Sequence, residues 1–563
     1  MAAHHGAVKA APLAPCAAPG ADLRAGRRTS GATPGGAAAP CLAEGFALAA
    51  RHHPRAAALA IDGREVTYAE LAGDAARLAR AIRRAGSSHR LVAVLAGRGR
   101  TACTAVLGIL AAGRGYVPLN PRFPAARTRQ MLQACGADVL IADAAAGALL
   151  PELLAEVRRP VTAICPETAA PPRLTGPHRA WGAESLPADG ARLSVAPVRP
   201  QDAAYVMFTS GSTGRPKAVA VSQASVCAYL GFMCGHLGAG PGDRFSQNFE
   251  LTFDLSVHDM FVCWWSGACL ALAPRAPVIA AAALIRQQSL TVWFSVPSAI
   301  RTLDRLGVLK PGAFPALRWS LFCGEPLADA DAACWQRAAP ASIIENLYGP
   351  TEATIAITAQ RWDPQDAGAG HRHGLVPIGL PFPGQRCLIV DDRLRPVEAG
   401  CGGELLLSGS QVASAYLDDD EQTRRCFVTL PGENGAIWYR SGDRVCAGED
   451  GSLHFLGRLD HQVQVRGYRV ELGEVEHVLR EAAGGAAAVA LPWPPETGRA
   501  DEIHAFVAAE GADPAALLEA CRSLLPSYML PRRVYCVADL PRGDSGKIDR
   551  GALARRLRGL LRG

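Results

Sequence analysis

The chain has almost no lysine. Lys9, Lys217, Lys310 and Lys547 are the whole complement of a 563-residue sequence in which lysine and arginine together number 58. Arginine has taken over elsewhere, so a lysine retained inside a motif is informative. The 17 cysteines contain no C-x-x-C pair and sit among apolar residues, as in "LFCGE". This pattern excludes a zinc framework and reads as reduced thiols of a cytoplasmic protein. Long apolar runs are missing too. The best candidate for a membrane span, Val262 to Ile285, is broken by Pro274, Arg275 and Pro277, and the N-terminus lacks the apolar core of a secretory signal. The net charge of +6 is spread thinly, with no dense Lys/Arg run interleaved with aromatics, which argues against nucleic acid. Arg555, Arg556, Arg558 and Arg562 read as a solvated helix face. The pairs His4–His5, His52–His53 and His371/His373 lack partner spacing for a metal.

What is present is a globular composition, 49% hydrophobic and 20% charged, in a chain too long for one core. Residues 1–40 are Ala/Gly/Pro-rich and read as a disordered extension. From Thr67, "TYAELAGDAARLARAIRRAG" has helical apolar spacing, and "RLVAVLA", "ADVLIAD", "TVWFSVP" and "RWSLFCG" are short strands between helices. This alternation predicts an α/β fold with doubly wound, largely parallel sheets. After Pro377, "QRCLIVDD", "GELLLSG" and "GSLHFLGR" predict a small β subdomain. The character changes again after Asp460, where "QVQVRGYRVELGEVEHVLREA" opens a small α+β domain. The expected division is therefore 1–40, a core domain over 41–460 and a C-terminal subdomain over 461–563.

"YVMFTSGSTGRPKAV", Tyr205 to Val219, runs from apolar residues into Thr, Ser and Gly and then a lysine. Glycines let backbone N–H groups close on an anion, hydroxyls add donors, and lysine adds a point charge. The combination suits a polyphosphate. It is not the common phosphate-loop signature, because Lys217 follows Arg215 and Pro216 and precedes Ala218. Taken alone, such a cluster is more often a plain surface loop.

Other segments follow in order: "NLYGPTEATI" (Asn346–Ile355), "YRSGD" (Tyr439–Asp443), "GRLDHQVQVRGYRVELGEVE" (Gly457–Glu476), "LPSYMLP" (Leu525–Pro531) and "SGKIDR" (Ser545–Arg550). Together with the loop they resemble the adenylate-forming superfamily, most closely the amino-acid adenylation domains of nonribosomal peptide synthetases, over about Leu42 to Arg550. The resemblance implies ATP and Mg²⁺ as cofactors. A carboxylate attacks the α-phosphate of ATP to give an acyl adenylate, and the acyl group then passes to the phosphopantetheine thiol of a separate carrier protein. It implies a pyrophosphate cradle of Thr209, Ser210, Gly211, Ser212, Thr213, Gly214 and Lys217. Nucleotide contacts are implied for Gly324, Glu325, Asn346, Tyr348, Asp443, Arg458 and Arg469. Thr351 and Glu352 would meet the α-phosphate and Mg²⁺. Lys547 would be the catalytic lysine on a mobile C-terminal subdomain, with Asp460 as its hinge and the Gly467 strand presented to the thiol. Departures from the family pattern are Ala218 after the cradle lysine, Ser414 and Ala415 before Tyr416, and Gln464 in place of a lysine.

By the same resemblance, Asp254 in "FDLSVHD" holds the α-ammonium of an amino-acid substrate; a plain helix N-cap is the structural alternative. The side-chain pocket would be Leu255, His258, Phe294, Leu321, Cys323, Leu347, Ile355 and Ala356. Such a lining leaves a charged side chain unpaired. It resembles that of free-standing proline-activating domains, so the expected substrate is L-proline or a proline analogue. A small apolar or small polar amino acid is the competitor, and His258 is the element that would favour a polar group. Neither a carrier segment nor a condensation domain is visible, so a stand-alone enzyme is expected, with an MbtH-like helper as a further partner and no membrane or nucleic acid. An acyl- or aryl-CoA ligase is the alternative that Asp254 opposes; a non-catalytic nucleotide-binding relative is opposed by Lys547, Glu352 and Asp443.

Overall fold

Thr67 starts the first long helix as its sequence suggests. Its hydroxyl accepts from the Glu70 N–H while the Glu70 carboxylate accepts from the Thr67 N–H, a reciprocal cap. The helix Tyr68–Arg84 then buries Leu71, Ala75, Leu78 and Ile82 along one face. The computed structural model describes residues 41–87, 89–187, 192–211, 214, 216–272, 278–365, 371–398, 400–495, 499–543 and 546–562. Expectations for residues 1–40, Ser212, Thr213, Arg215 and Ser545 lie outside them.

Two large sheets form the core. One has seven strands in the order Arg179–Trp181, Thr162–Ile164, Val139–Ala142, Leu91–Leu95, Gly115–Leu119, Ala203–Thr209 and Lys217–Ser222. It is parallel except for the last pair, an antiparallel hairpin with Thr209 opposite Lys217. The phosphate-type loop is thus a hairpin tip. The other sheet has nine strands, and Arg244–Gln247, Val292–Ser295, Trp319–Phe322 and Ile343–Tyr348 run parallel at its centre. Fully buried parallel strands read as continuous apolar runs, which is what "TVWFSVP" shows. The helix Leu255–Trp265 is buried along nearly its whole length, so it carries His258 and Asp259 into the interior.

A five-stranded antiparallel sheet follows, with Ile437–Ala447 pairing on both sides and Leu453–Arg458 laid against it. Strands from Gln462 onward form two further three-stranded sheets of their own. The helices Leu472–Ala482 and Pro514–Leu524 pack on them, around a core including Val470, Val475, Leu479, Ile503 and Met529. This C-terminal segment docks on the rest through Tyr468, stacked on Tyr528 at 4.0 Å and edge-on to Phe253 at 4.9 Å. No helix among the described residues is long and apolar enough to cross a membrane.

Candidate active site

The C-terminal ends of the central parallel strands in the nine-stranded sheet open onto a cleft, where ligands of open α/β sheets bind. Its cavity, ≈ 150 Å³, is lined by the ends of Trp319–Phe322 and Ile343–Tyr348, by Asp254 and Leu255, by Asp443 and Arg458, and by the turn carrying Gly467.

Four residues expected to meet a nucleotide share this cavity with apolar neighbours. Gly324, Glu325, Asn346 and Tyr348 line it together with Val376 and Ile378. The Asn346 amide donates to the carbonyls of Val376 (3.2 Å) and Pro377 (2.8 Å), which orients its oxygen. The Tyr348 hydroxyl donates to Asp443 Oδ2 at 2.5 Å, and Arg458 Nη1 donates to Asp443 Oδ1 at 2.8 Å. Asp443 is buried, Arg458 keeps only a small part of its side chain exposed, and both line the cavity, so they are not a surface pair. Burial opposes the charge on Arg458, but Asp443 and Asp460 outweigh it and raise its pKa. Arg458 also holds Asp460, with Nε 2.9 Å from Oδ1.

Asp254 lines the same cavity. It occupies the position before the helix Leu255–Trp265, yet its side chain caps nothing. Its Oδ2 has no hydrogen-bond partner. Burial pushes its pKa up to about 6, opposed by the Thr351 hydroxyl beside it and reinforced by the Glu352 charge. A buried carboxylate oxygen without a partner is costly unless a cation completes it.

Leu255, Cys323, Leu347 and Ile355 line the cavity near Asp254. His258, Phe294, Leu321 and Ala356 are fully buried behind that wall and do not line it. His258 packs edge-on to Phe294 at 4.6 Å, its Nδ1 is 2.7 Å from the Tyr229 hydroxyl, and its Nε2 has no partner. Burial pushes its pKa down to about 3, so the ring is neutral at ordinary pH.

Thr354 and Ile355 have φ of 59° and 72°. A β-branched residue in that region is strained and needs support. Gln411 supplies it: its side-chain amide donates to the Ala356 carbonyl at 2.7 Å and, at 3.4 Å, to those of Ala353 and Thr354. Sequence reasoning missed Gln411, because no local pattern ties it to a turn more than 50 residues away.

Thr209 and Ser210 border a smaller neighbouring cavity with Asp254, Thr351 and Arg469. Glu352 is completely buried beside it; its two oxygens accept from Tyr416 (2.7 Å) and from Arg469 (2.8 Å). Burial works against its charge, but Arg469 and Tyr416 prevail and its pKa is lowered. No group of three or more His, Cys, Asp or Glu side chains stands ready for a metal among the described residues. A single hard carboxylate fits Mg²⁺, which takes one or two protein oxygens and completes its shell with phosphate and water. In this conformer Arg469 occupies that carboxylate.

Lys547 is exposed and lines none of these cavities, so it is not brought to the cleft with the other expected residues. The cleft is met instead by Gly467, at the turn between Gln462–Val465 and Tyr468–Glu471. Gly467 has φ +84°, and a Cβ there would lie 2.5 Å from Val296 Cγ1. A second cavity of ≈ 1060 Å³, walled by Arg98, Arg122, Val296 and Arg466, reaches the same Gly467 and Phe253.

A cleft at the sheet ends, a buried carboxylate oxygen without a partner and the turn of Gly467 beside it make up the site. The chain belongs to the family of AMP-binding enzymes, which matches residues 46–417. It is 34% identical over 512 residues to the phosphinothricin tripeptide synthetase PhsC of Streptomyces viridochromogenes, covering 90% of this chain and 44% of that protein. The curated relatives are longer: the chain spans 6% of the nonribosomal peptide synthetase CymA of Salinispora arenicola, to which it is 35% identical across 91% of its own length. Among solved structures, it is similar to the Vibrio cholerae adenylation domain AlmE in complex with glycyl-adenosine-5'-phosphate. The identity is 32% and the TM-score 0.80, covering 94% of this chain and all of that one.

Proposed function

We propose that this protein activates a small neutral amino acid, L-proline or a ring-modified proline in first place, as its aminoacyl adenylate. It then transfers the acyl group to the phosphopantetheine thiol of a carrier protein. The observation that carries the reading is Asp254: a buried carboxylate with one unpartnered oxygen, in the wall of a cleft that the residues expected to meet a nucleotide also line. An α-ammonium is the cation that would complete it. Such a site gives fatty or aryl acids no partner for Asp254, which counsels against an acyl-CoA ligase.

In the first half-reaction a substrate carboxylate oxygen attacks the α-phosphorus, and the bond to the pyrophosphate oxygen breaks. Carboxylate and polyphosphate repel each other, so the protein's contribution is positioning and charge neutralisation. Thr351 stands near the α-phosphate position. The hairpin tip from Thr209 to Lys217 holds the leaving pyrophosphate through N–H groups, hydroxyls and the Lys217 ammonium. Glu352 would hold Mg²⁺, which when bound would add charge neutralisation on the phosphates. Tyr348 and Asn346 orient adenine, and Asp443 accepts the ribose hydroxyls. Lys547 enters the cleft by rotation of the segment beyond Asp460. In the second half-reaction the segment keeps Gly467 at the cleft and Lys547 away from it. The thiol sulfur, arriving through the ≈ 1060 Å³ cavity, bonds to the acyl carbon as the carbon–oxygen bond to AMP breaks.

The side-chain space is short and apolar because Leu255, Cys323, Leu347 and Ile355 close it, with Phe294 and His258 packed solidly behind. A pyrrolidine ring fits such a space with little rotamer entropy to lose. Glycine or alanine is the second reading, favoured by the likeness to AlmE with its bound glycyl adenylate. The test is ATP–pyrophosphate exchange over all proteinogenic amino acids and several proline analogues, with and without an MbtH-like helper. Proline or an analogue should lead. A best substrate that is aromatic, acidic or basic overturns the pocket reading, and signal with fatty or aryl acids alone overturns amino-acid activation.

A further inference from the structure

Lys547 stands just before Arg550, the first residue of the helix Arg550–Arg562. The described part of the loop that carries the lysine is tied across itself. The Asp549 N–H donates to the Pro541 carbonyl and the Gly543 N–H to the Lys547 carbonyl, both at 2.8 Å. Arg542 Nη1 reaches the Gly546 carbonyl at 3.0 Å. Asp549 Oδ1 accepts from the Ala552 N–H at 2.9 Å and so caps the helix. The lysine is exposed, yet the backbone beneath it is already shaped.

Arg550 fastens this loop to the body of the C-terminal segment. Its Nη1 donates to the Ala490 carbonyl at 2.8 Å, and its Nη2 donates to Glu476 Oε1. The same Glu476 oxygen accepts from the Ala490 N–H at 2.9 Å. Ala490 lies on Ala488–Trp493, at the edge of its sheet, where outward backbone groups lack a strand to pair with. Glu476 and Arg550 take both groups and join each other. A hydroxyl or an amide could satisfy that edge. A guanidinium that divides its donors between a carbonyl and a carboxylate fixes the helix entry in orientation as well as in distance. Glu476 is buried on the helix Leu472–Ala482, so the lysine loop is locked to that helix. The Gly467 turn needs no such lock, because Gln462–Val465 and Tyr468–Glu471 pair directly across it.

Neither Arg550 nor Glu476 lines the cleft or its neighbouring cavities. Their effect on chemistry can only pass through what they hold. With the loop fixed beforehand, rotation brings Lys547 into the cleft as part of a rigid body, and no loop has to be ordered at that moment.

We propose that Arg550 and Glu476 are positioning residues for Lys547. They act in adenylate formation alone, by setting the orientation of the lysine loop on the C-terminal segment. The proposal rests on the adenylation reading above, in which Lys547 enters the cleft.

The test is kinetic and uses the full chain. ATP–pyrophosphate exchange is run with L-proline and the rest of the amino-acid series. Transfer is followed separately, from the synthetic adenylate of the leading amino acid to free pantetheine. Arg550→Ala should lower kcat for exchange by up to about 10²-fold, the scale of a misplacement of about 1 Å. The KM values for ATP and amino acid, and the transfer rate, should stay as in the wild type. Arg550→Lys keeps one donor and should lose less. Glu476→Gln still accepts from the Ala490 N–H, and it carries the test should Arg550→Ala fail to fold. The decisive step repeats each change in Lys547→Ala. Residues that act only through the lysine have nothing left to lose there, so the double variants should match Lys547→Ala alone. A role in holding the fold would multiply through in both backgrounds. Unchanged exchange in the variants, equal loss in both half-reactions, or a full further loss in Lys547→Ala overturns the proposal alone. A wild type that exchanges with no amino acid overturns the adenylation reading beneath it.

Discussion

Asp254→Asn should make the protein more stable and less able to bind its substrate. The substitution keeps shape and removes charge. Burial sets the carboxyl pKa at about 6 against an ordinary 3.8. Between those values the folded protein holds a proton that the unfolded chain has released, so stability declines as pH rises through the window, and the penalty is complete above it. At about 1.4 kcal/mol per tenfold, the ionised carboxylate costs the empty site about 3 kcal/mol. Denaturant unfolding at neutral pH should therefore show Asp254→Asn more stable than the wild type by up to about 3 kcal/mol, and no more stable below the window. Substrate binding should respond in the opposite sense. Losing the counter-charge to a buried ammonium costs about 3–5 kcal/mol, a factor between about 10² and about 4 × 10³ in amino-acid affinity. Wild-type affinity should fall about tenfold per pH unit below about 6 as Asp254 protonates, while the variant stays flat. ATP binding should be spared in both. A variant that is destabilised at neutral pH while keeping its amino-acid affinity would refute the reasoning and make Asp254 a structural residue.

Lys547→Ala should slow adenylate formation by about 10²–10³-fold, the scale for removing one donor that acts in the transition state. Single-turnover transfer from a preformed adenylate should survive, and equal loss of both half-reactions would show a structural lysine. Gly467→Ala should do the reverse: a Cβ 2.5 Å from Val296 disturbs the conformer that presents the turn, so carrier loading should drop while ATP–pyrophosphate exchange persists. Gln411→Ala leaves the carbonyls that fix Thr354 and Ile355 without their donor and should cost about 1–3 kcal/mol of stability. It should also raise the KM for the amino acid more than that for ATP, and a purely global loss would raise neither selectively.

Much of this molecule was legible in one dimension. The short apolar runs became parallel strands and Thr67 became a cap, because alternation, periodicity and capping act between near neighbours. The loop from Thr209 to Lys217 suited an anion by its residue types, but only the other motifs lifted it above a plain surface loop. Asp254, Asn346, Tyr348 and Asp443 were marked by motifs, and they meet in one cleft because each lies at or next to the end of a strand or helix that the fold aims there. What the sequence could not disclose is which of these groups are in contact at a given moment. Its pattern placed Lys547 and Gly467 in the same active site, yet one segment carries both, and the structure has Gly467 at the cleft with Lys547 exposed to solvent. It offered no sign that Gln411 holds a strained turn, or that Glu474 lies against Gly211, 263 residues away. Local patterns record what each stretch of chain prefers. Which distant donor meets which carboxylate is decided by packing, where buried charges must find partners among whatever the fold brings near.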